Sequence, residues 1–272
     1  MADETDMTNS DVVIRTDEDG VTILTLNAPK TINALSEAML AALSTTFDQI
    51  AEDRSVKAVI LRSAGNHFCA GHNLKEMTAR REDADGGFQY FQELFATCSA
   101  MMLRVTRLPQ PVIAEVKGIA TAAGCQLVAA CDLAVASEEA TLATSGVNIG
   151  LFCSTPMVAL SRNVPRKMAM EMLLTGDFIP AAKAQELGLV NRVVERTELE
   201  AATMQMARTI ADKSGSAIKI GKRAFYEQDE MALEDAYFYA GRVMAENMMA
   251  RDAEAGIGAF TRKEPMPEWT GE

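Results

Sequence analysis

Residues 112–137 (VIAEVKGIATAAGCQLVAACDLAVAS) constrain the fold most, because two apolar runs flank a turn of glycine and small residues. The runs 112–116 and 133–136 predict short strands, and 124–130 predicts an apolar helix between them. A turn at 118–124 would leave backbone N–H groups without partners where that helix starts. Those groups suit an anion or a polarised carbonyl oxygen, and a tight turn without a ligand is the alternative.

An earlier turn, the first of the two in chain order, has the same composition. Residues 67–77 (HFCAGHNLKEM) place the small pair Ala70-Gly71 between a short apolar run and helix-forming residues. Two such turns could direct two N–H donors at one carbonyl oxygen, which is the arrangement of an oxyanion hole.

Strands alternate with helical patterns as far as residue 195. Residues 12–14 and 21–26 predict a β-hairpin, 58–61 predicts a third strand, and 189–194 predicts a last short strand. Ser36 is expected to cap the first helix, and 88–107 predicts a long helix. This alternation indicates an α/β body with mostly parallel strands. We therefore predict an α/β region over 1–195 and a helical region over 196–272, whose helices are expected at 198–213, 217–227 and 231–249.

Composition excludes several classes of function. A formal charge of −12 argues against sequence-independent binding of nucleic acid or anionic membranes, and no apolar run is long enough to span a bilayer. The five cysteines form no C-x-x-C pair, and with two histidines they do not predict a metal site, so reduced, partly buried thiols are expected. The first residues lack the apolar core of a secretory signal, and the sequence predicts a cytoplasmic protein.

Six motifs follow one another along the chain. They are Asn27-x-Pro29-x-x-x-Asn33-Ala34-Leu35, residues 68–76 (FCAGHNLKE), Gly118-x-Ala120 through Cys131-Asp132-Leu133, Leu174-Thr175-Gly176, Ala184 through Gly188-Leu189-Val190, and Gly256-x-x-Ala259-Phe260 to Trp269. In this order they resemble the crotonase superfamily, also called the enoyl-CoA hydratase/isomerase family. Within that family the resemblance is greatest to the enoyl-CoA hydratase domain-containing subgroup, through residues 149–156 (IGLFCSTP).

The resemblance implies a spiral of β-β-α turns and a helical C-terminal region that forms trimers, often paired into hexamers. It implies an acyl-CoA thioester as ligand, with coenzyme A entering as part of the substrate and no prosthetic group. The thioester oxygen would accept hydrogen bonds from the backbone N–H groups of His72 and Ala123.

The resemblance also implies contacts to coenzyme A. Lys30 is similar in position to a basic phosphate contact, although Ala28 replaces the usual arginine before Pro29. Phe260 and Lys263 match residues that reach the adenine and phosphates across a subunit boundary; both lysines could instead be ordinary surface residues. Further candidate contacts, beside the first turn, are Ala70 and Asn73.

The pattern departs from a hydratase of this family, in which two glutamates hold the water and shuttle its protons across the double bond. Those positions are Gln126 and Gly146, and Ser154 stands where related isomerases carry an aspartate. An amide can orient water but cannot act as a base near neutral pH. The binding half of the site is therefore expected without the hydration half.

Other side chains could supply the missing chemistry. Glu76 could reach the pocket or be solvated on its helix, and Cys125 or Cys153 could be a nucleophile or an inert buried thiol. Asp132 is expected as a structural cap or ion-pair partner. The His72 side chain could pack locally or contact substrate, since some similar decarboxylases carry histidine there.

These observations predict an acyl-CoA-binding protein of this family with weak or absent hydration of 2-enoyl-CoA. The open alternatives are another reaction that uses an oxyanion hole, such as decarboxylation or thioester hydrolysis, and a non-catalytic acyl-CoA binding or regulatory protein.

Overall fold

The computed structural model describes residues 12–272 and begins with a hairpin. Strands β1 (Val13–Glu18) and β2 (Val21–Leu26) pair antiparallel, with Glu18 opposite Val21. The two turn residues, Asp19 and Gly20, both have positive φ, as a tight two-residue hairpin requires. The predicted hairpin is confirmed, with its first strand longer than expected.

Seven further strands follow the hairpin: β3 (Ala58–Ser63), β4 (Val112–Val116), β5 (Ile119–Thr121), β6 (Leu133–Ser137), β7 (Thr141–Ala143), β8 (Ile179–Pro180) and β9 (Arg192–Val194). A six-stranded sheet has the order β1-β2-β3-β4-β6-β9, and every pair after the first is parallel. A three-stranded sheet has the order β5-β7-β8. Parallel neighbours need crossovers, which the helices provide.

Helices fill the intervals and the C-terminal region. Ser36 caps the first helix by accepting a hydrogen bond from the N–H of Met39 (3.1 Å), as predicted. The helices are α1 (Glu37–Glu52), α2 (Leu74–Ala79), α3 (Phe88–Arg107), α4 (Ala123–Ala130), α5 (Pro156–Asn163), α6 (Arg166–Thr175), α7 (Ala181–Glu186), α8 (Leu199–Ala211), α9 (Gly215–Gln228), α10 (Leu233–Met248) and α11 (Arg251–Arg262), with 3₁₀ turns at Pro29–Thr31, Arg80–Glu82, Ser145–Ile149 and Arg196–Glu198.

Both faces of the large sheet are buried. The larger core joins one face to α1, α3 and α4, while α8 packs against the other face through Leu199, Met206 and Ala207. Near-continuous apolar strands such as β3 (AVILRS) follow from this two-sided burial. All five cysteines are buried and free, and none of the helices described is long and apolar enough to cross a membrane.

Candidate active site at two adjoining turns

The two small-residue turns meet at Gly71. Its φ of +91° is a conformation that favours glycine, and a Cβ placed there would lie 3.0 Å from the Cβ of Ala122 and 3.1 Å from the nitrogen of Ala123. Parallel bridges between Cys69 and Ala120 and between Leu35 and His72 hold the first turn. The backbone segments that lead into His72 and Ala123 are therefore in direct contact.

Ala123 is the first residue of α4, so its N–H has no acceptor inside the helix. Within residues 12–272, neither the N–H of His72 nor the N–H of Ala123 donates a hydrogen bond. Two donors without acceptors thus lie on adjoining turns, and an oxyanion hole needs two such donors directed at one oxygen.

The second turn is strained at Ala122, which precedes α4 with φ +51° and ψ −121°. These are the angles of the first central residue of a type II′ turn, where glycine dominates. The N–H of Ala122 donates to the carbonyl of Ala143 (3.0 Å), so β7 holds the strained peptide in place. Sequence inspection did not identify this strain, because alanine is ordinary at the start of a helix.

Asn33 is the buried residue that ties the surrounding loops together. Its amide nitrogen donates to the carbonyl oxygens of Ala64 (3.0 Å), His67 (3.1 Å) and Phe68 (3.1 Å), and its amide oxygen accepts from the N–H of Ala28 (2.9 Å). The motif contained Asn33, but its role as an anchor was not predicted, since all its partners are backbone groups.

Gln126 lies on the face of α4 that carries Ala123, one helical turn further along. The residue is only 5% exposed, and its amide oxygen has no hydrogen-bond partner among the described residues. Side chains in a helix lean toward its N-terminus, so this amide extends toward the turn that presents Ala123. The position expected for the first family glutamate thus holds a buried, polar and uncharged side chain.

At Gly146 the backbone has closed over the space that a side chain would need. A Cβ there would overlap the carbonyl oxygen of Leu151 and lie 2.8 Å from Cys153 Sγ. The segment is drawn together because the N–H of Leu151 donates to the carbonyl of Gly146 (3.0 Å). Packing therefore leaves no room for a side chain at this position, where the second glutamate was expected, and the sequence alone did not reveal this.

The imidazole of His72 is enclosed next to Phe95, and the two rings meet edge to face with centroids 5.5 Å apart. Burial lowers the pKa of His72 below its ordinary 6.5, with a smaller opposing effect from the backbone of Leu35. Neither ring nitrogen makes a well-directed hydrogen bond within residues 12–272, so the backbone of Leu35 is only a weak partner. His72 is thus a neutral polar group near physiological pH.

Glu76, the candidate acid, is held in local contacts. Its carboxylate accepts from the N–H of Glu37 (3.1 Å) and from the side-chain amide of Asn73 (2.9 Å). The first contact places negative charge at the start of α1, where the helix dipole favours it. Asn73 in turn caps α2 by accepting from the N–H of Lys75 (3.1 Å). Both side chains serve helix starts, and Glu76, which is partly exposed, is held by these two contacts.

The candidate nucleophiles are protonated thiols. Burial raises the pKa of Cys125 to about 12, and burial also raises the pKa of Cys153, whose sulfur accepts from the N–H of Gly146 (3.3 Å). The thiolate is the reactive form, so neither side chain is activated. Asp132 forms a buried ion pair with Lys222 (2.6 Å), which is the structural role expected of it.

Three of the five residues expected at coenzyme A are exposed, while Ala70 and Asn73 are partly buried. Lys30 belongs to the exposed 3₁₀ turn Pro29–Thr31, Phe260 is 73% exposed on α11, and Lys263 ends that helix. Ala70 uses its N–H internally, donating to the carbonyl of Ile32 (3.0 Å).

Comparison with known proteins identifies the family. The sequence model of the enoyl-CoA hydratase/isomerase family matches residues 16–272. The chain is 46% identical over 254 residues to the human enoyl-CoA hydratase domain-containing protein 3, mitochondrial, covering 93% of this chain and 82% of the relative. The mouse protein of the same name is also 46% identical, over 253 residues and the same shares of both chains.

Solved structures agree with this assignment. The structure of an enoyl-CoA hydratase from Mycobacterium smegmatis superposes with a TM-score of 0.90 at 53% identity, covering 94% of this chain and 98% of that one. The human enoyl-CoA hydratase domain-containing protein 3 superposes with a TM-score of 0.89 at 44% identity, covering 94% and 99%. The expected crotonase-like fold with a helical C-terminal region is confirmed.

The expected cytoplasmic location is wrong by the same comparison, because the mouse, rat, human and frog relatives are all named as mitochondrial proteins. Charge and hydropathy of a folded chain do not report its compartment, since separate targeting segments carry the address. The match of the family model to residues 16–272, together with these relatives and structures, shows that the chain belongs to the enoyl-CoA hydratase/isomerase family.

Proposed function

We propose that this protein binds acyl-CoA thioesters, with the N–H groups of His72 and Ala123 donating to the thioester carbonyl oxygen. The contact of Gly71 with Ala122 and Ala123 carries the proposal, because it brings two acceptor-free donors onto adjoining turns. Coenzyme A would enter as part of the substrate, with Lys30, Phe260 and Lys263 as its candidate contacts.

Hydration of 2-enoyl-CoA is expected to be weak or absent. Positioned proton transfer contributes about 10²–10⁴-fold to such a reaction and needs groups that gain and lose protons. The two positions for those groups hold a neutral amide, Gln126, and a glycine, Gly146, whose side-chain space is occupied. Glu76 is committed to capping α1.

The test is hydration of crotonyl-CoA, followed by loss of its conjugated absorbance, beside a binding measurement with butyryl-CoA. We expect binding without measurable turnover in the wild type and some gain in Gln126→Glu. Adding Gly146→Glu should cost folding stability without improving turnover, because Leu151 and Cys153 occupy that space. Robust turnover by the wild type would contradict the proposal, as would a lack of affinity for the thioester.

Decarboxylation of a carboxylated acyl-CoA is the second candidate, favoured by the neutral environment of His72 and Phe95. The bond between C2 and the carboxyl carbon would break, and its electron pair would form an enolate held by the two N–H groups. Carbon dioxide would leave, and C2 would take a proton from water. Thioester hydrolysis through a covalent acyl-enzyme is less favoured, since the thiols of Cys125 and Cys153 are protonated.

A non-catalytic acyl-CoA binding or regulatory protein is the candidate from another class. Malonyl-CoA and methylmalonyl-CoA distinguish it from a decarboxylase, because carbon dioxide release with either one indicates an enzyme. Tight binding of several acyl-CoA esters with no product from any of them indicates a binder.

We also propose that the chain forms trimers or hexamers through its C-terminal helices. Large apolar side chains stand exposed there: Phe225, Leu233, Tyr237, Phe238, Met244 and Met249. Such a surface is typical of an interface between subunits. Light scattering should give a trimeric or hexameric mass, and Phe238→Glu with Met249→Glu should reduce it. Ile14→Glu, an exposed apolar position on β1, should not; a monomeric wild type would contradict the proposal.

A further inference from the structure

Helix α11 carries Phe260 but has little apolar packing to hold it. Within Arg251–Arg262 only Asp252 and Ala259 are buried, while Ile257 and Phe260 are exposed. Helices in proteins are stabilised mainly by burial of an apolar face. The position of α11 must therefore depend on other contacts.

The chain reverses direction where α11 ends. Lys263 adopts a left-handed conformation (φ +58°), and its N–H donates to the carbonyl of Phe260 (3.1 Å). The next N–H, from Glu264, donates to the carbonyl of Ala259 (2.9 Å). The tail then runs back along the helix, so that residues 269–272, here called the C-terminal strap, reach its first turn.

The strap is fastened to Asp252, a carboxylate at the start of α11 that is only 4% exposed. It accepts hydrogen bonds from the N–H of Thr270 (2.8 Å), the hydroxyl of Thr270 (2.9 Å) and the N–H of Gly271 (3.0 Å). The hydroxyl of Ser214, which caps α9, donates to the same carboxylate (2.6 Å). One buried anion thus joins α9, α11 and the strap.

Trp269 extends this connection to the body of the protein. Its indole N–H donates to the carbonyl of Asp212 (2.9 Å), which ends α8, the helix packed on the large sheet. The indole ring covers Gly256 so closely that a Cβ there would lie 3.0 Å from it. Gly256 is one helical turn before Phe260, on the same face of α11. The ring therefore packs on α11 one turn before Phe260 and so supports the end of the helix that carries Phe260 and Lys263.

We infer that the C-terminal strap is a positioning element for the coenzyme A nucleotide, and that Trp269 and Asp252 are its positioning residues. The inference rests on the proposed acyl-CoA binding and on Phe260 and Lys263 as contacts of the adenine and phosphates. The strap fixes α11 against α8 and α9, so these two side chains meet the nucleotide without first being ordered. Ordering such side chains only on binding would weaken affinity.

The test separates the nucleotide end of the ligand from its acyl end. Affinity is measured by calorimetry for butyryl-CoA and for butyryl-pantetheine, which has the same thioester and lacks the nucleotide. Trp269→Ala should weaken butyryl-CoA about tenfold, the ratio that corresponds to about 1.4 kcal/mol. Its affinity for butyryl-pantetheine should stay within about twofold of the wild type, since the two turns lie outside the strap.

Three further variants sharpen the comparison. Trp269→Phe keeps an aromatic ring over Gly256 and should recover most of the affinity for butyryl-CoA. Met266→Ala changes an exposed side chain in the same tail and should bind like the wild type. Combining Trp269→Ala with Phe260→Ala should cost little more than Phe260→Ala alone, because the strap acts through that residue.

Several results would overturn the inference. An equal loss of affinity for both ligands in Trp269→Ala would assign the strap a general structural role. Unchanged affinity for butyryl-CoA would show that the strap has no role in binding. A change of oligomeric mass in Trp269→Ala would assign the strap to subunit contact. If the wild type bound neither thioester, the proposed function itself would fail.

Discussion

Ala122 has the backbone angles of a glycine while carrying a methyl group. We predict that Ala122→Gly raises the free energy of unfolding by about 1 kcal/mol, because a strained non-glycine conformation costs about 1–3 kcal/mol and glycine gives back part of this through its unfolded-state entropy. Urea denaturation measures the change. Ala129→Gly, in the ordinary helical part of α4, is the control and should lower stability by about 1 kcal/mol. A loss of stability in both variants would show that the methyl group of Ala122 contributes more by packing than it costs by strain.

The buried imidazole of His72 predicts a dependence of stability on pH. Its pKa in the folded protein lies below the ordinary 6.5, so between these two pKa values the unfolded chain binds a proton that the native protein does not. Lowering the pH through this window therefore favours unfolding, and above about pH 7 the effect disappears. The variant His72→Gln removes the contribution.

We expect the wild type to lose more stability than His72→Gln as the pH falls below 6.5, with a constant difference between them above pH 7. Urea denaturation at several pH values measures this difference. Carboxylates far from residue 72 contribute equally to the pH dependence of stability in both proteins, so they cancel in the comparison. Parallel curves across the whole range would contradict a lowered pKa.

At the scale of elements, the Ser145–Ile149 turn and the residues that follow it form a closed loop at Gly146. We predict that Gly146→Ala lowers the free energy of unfolding by about 1–3 kcal/mol, because the new methyl group would overlap the carbonyl oxygen of Leu151. Gly221→Ala is the matched control, since a Cβ on α9 at that position meets nothing within 4 Å. It should raise stability by about 0.5–1 kcal/mol. Equal effects of the two substitutions on thermal unfolding would show that the loop can open at little cost.

Element boundaries followed the sequence wherever the local pattern was strong. Helix α3 occurs at the predicted residues because its apolar spacing defines one buried face, and strand β4 because its short β-branched run is buried along its whole length. Strand β9 begins three residues later than predicted, at Arg192, since the apolar residues Leu189 and Val190 are buried in the core without joining a strand. Helix α11 was not predicted, because Gly256 and Gly258 interrupt its pattern and the contact of Gly256 with Trp269 exists only in three dimensions.

At the scale of the molecule, a buried ion pair connects the C-terminal helices to the sheet. Lys222 of α9 donates to Asp132 (2.6 Å) and to the carbonyls of Val105 and Gln110 (both 3.0 Å), and the hydroxyl of Tyr226 donates to the same aspartate (2.9 Å). Asp132 also accepts from the N–H of Val112 at the start of β4 (2.7 Å).

We predict that Lys222→Met lowers the free energy of unfolding by about 3–5 kcal/mol, because it leaves the buried carboxylate of Asp132 without its cation. Arg242→Met removes an exposed ion pair with Glu246 and should change stability by less than about 0.5 kcal/mol. Chemical denaturation at one protein concentration compares the two variants. A small effect of Lys222→Met would indicate that Tyr226 and the backbone N–H satisfy the carboxylate unaided.

The sequence by itself determined the family, most of the strands and helices, and the two turns with their small residues, but not strand β5 or helix α11. The elements that it did determine follow from local rules, since periodicity and turn chemistry depend on residues close in the chain. Its resemblance to the family predicts that Gln126 and Gly146 stand where a hydratase needs glutamates. Only the tertiary structure decided the surroundings of those two residues: an amide oxygen of Gln126 with no partner among the described residues, and a backbone carbonyl from Leu151 against Gly146. The same holds for Glu76 at the start of α1 and for Trp269 against Gly256, because each contact joins segments whose approach depends on the packing of the whole chain.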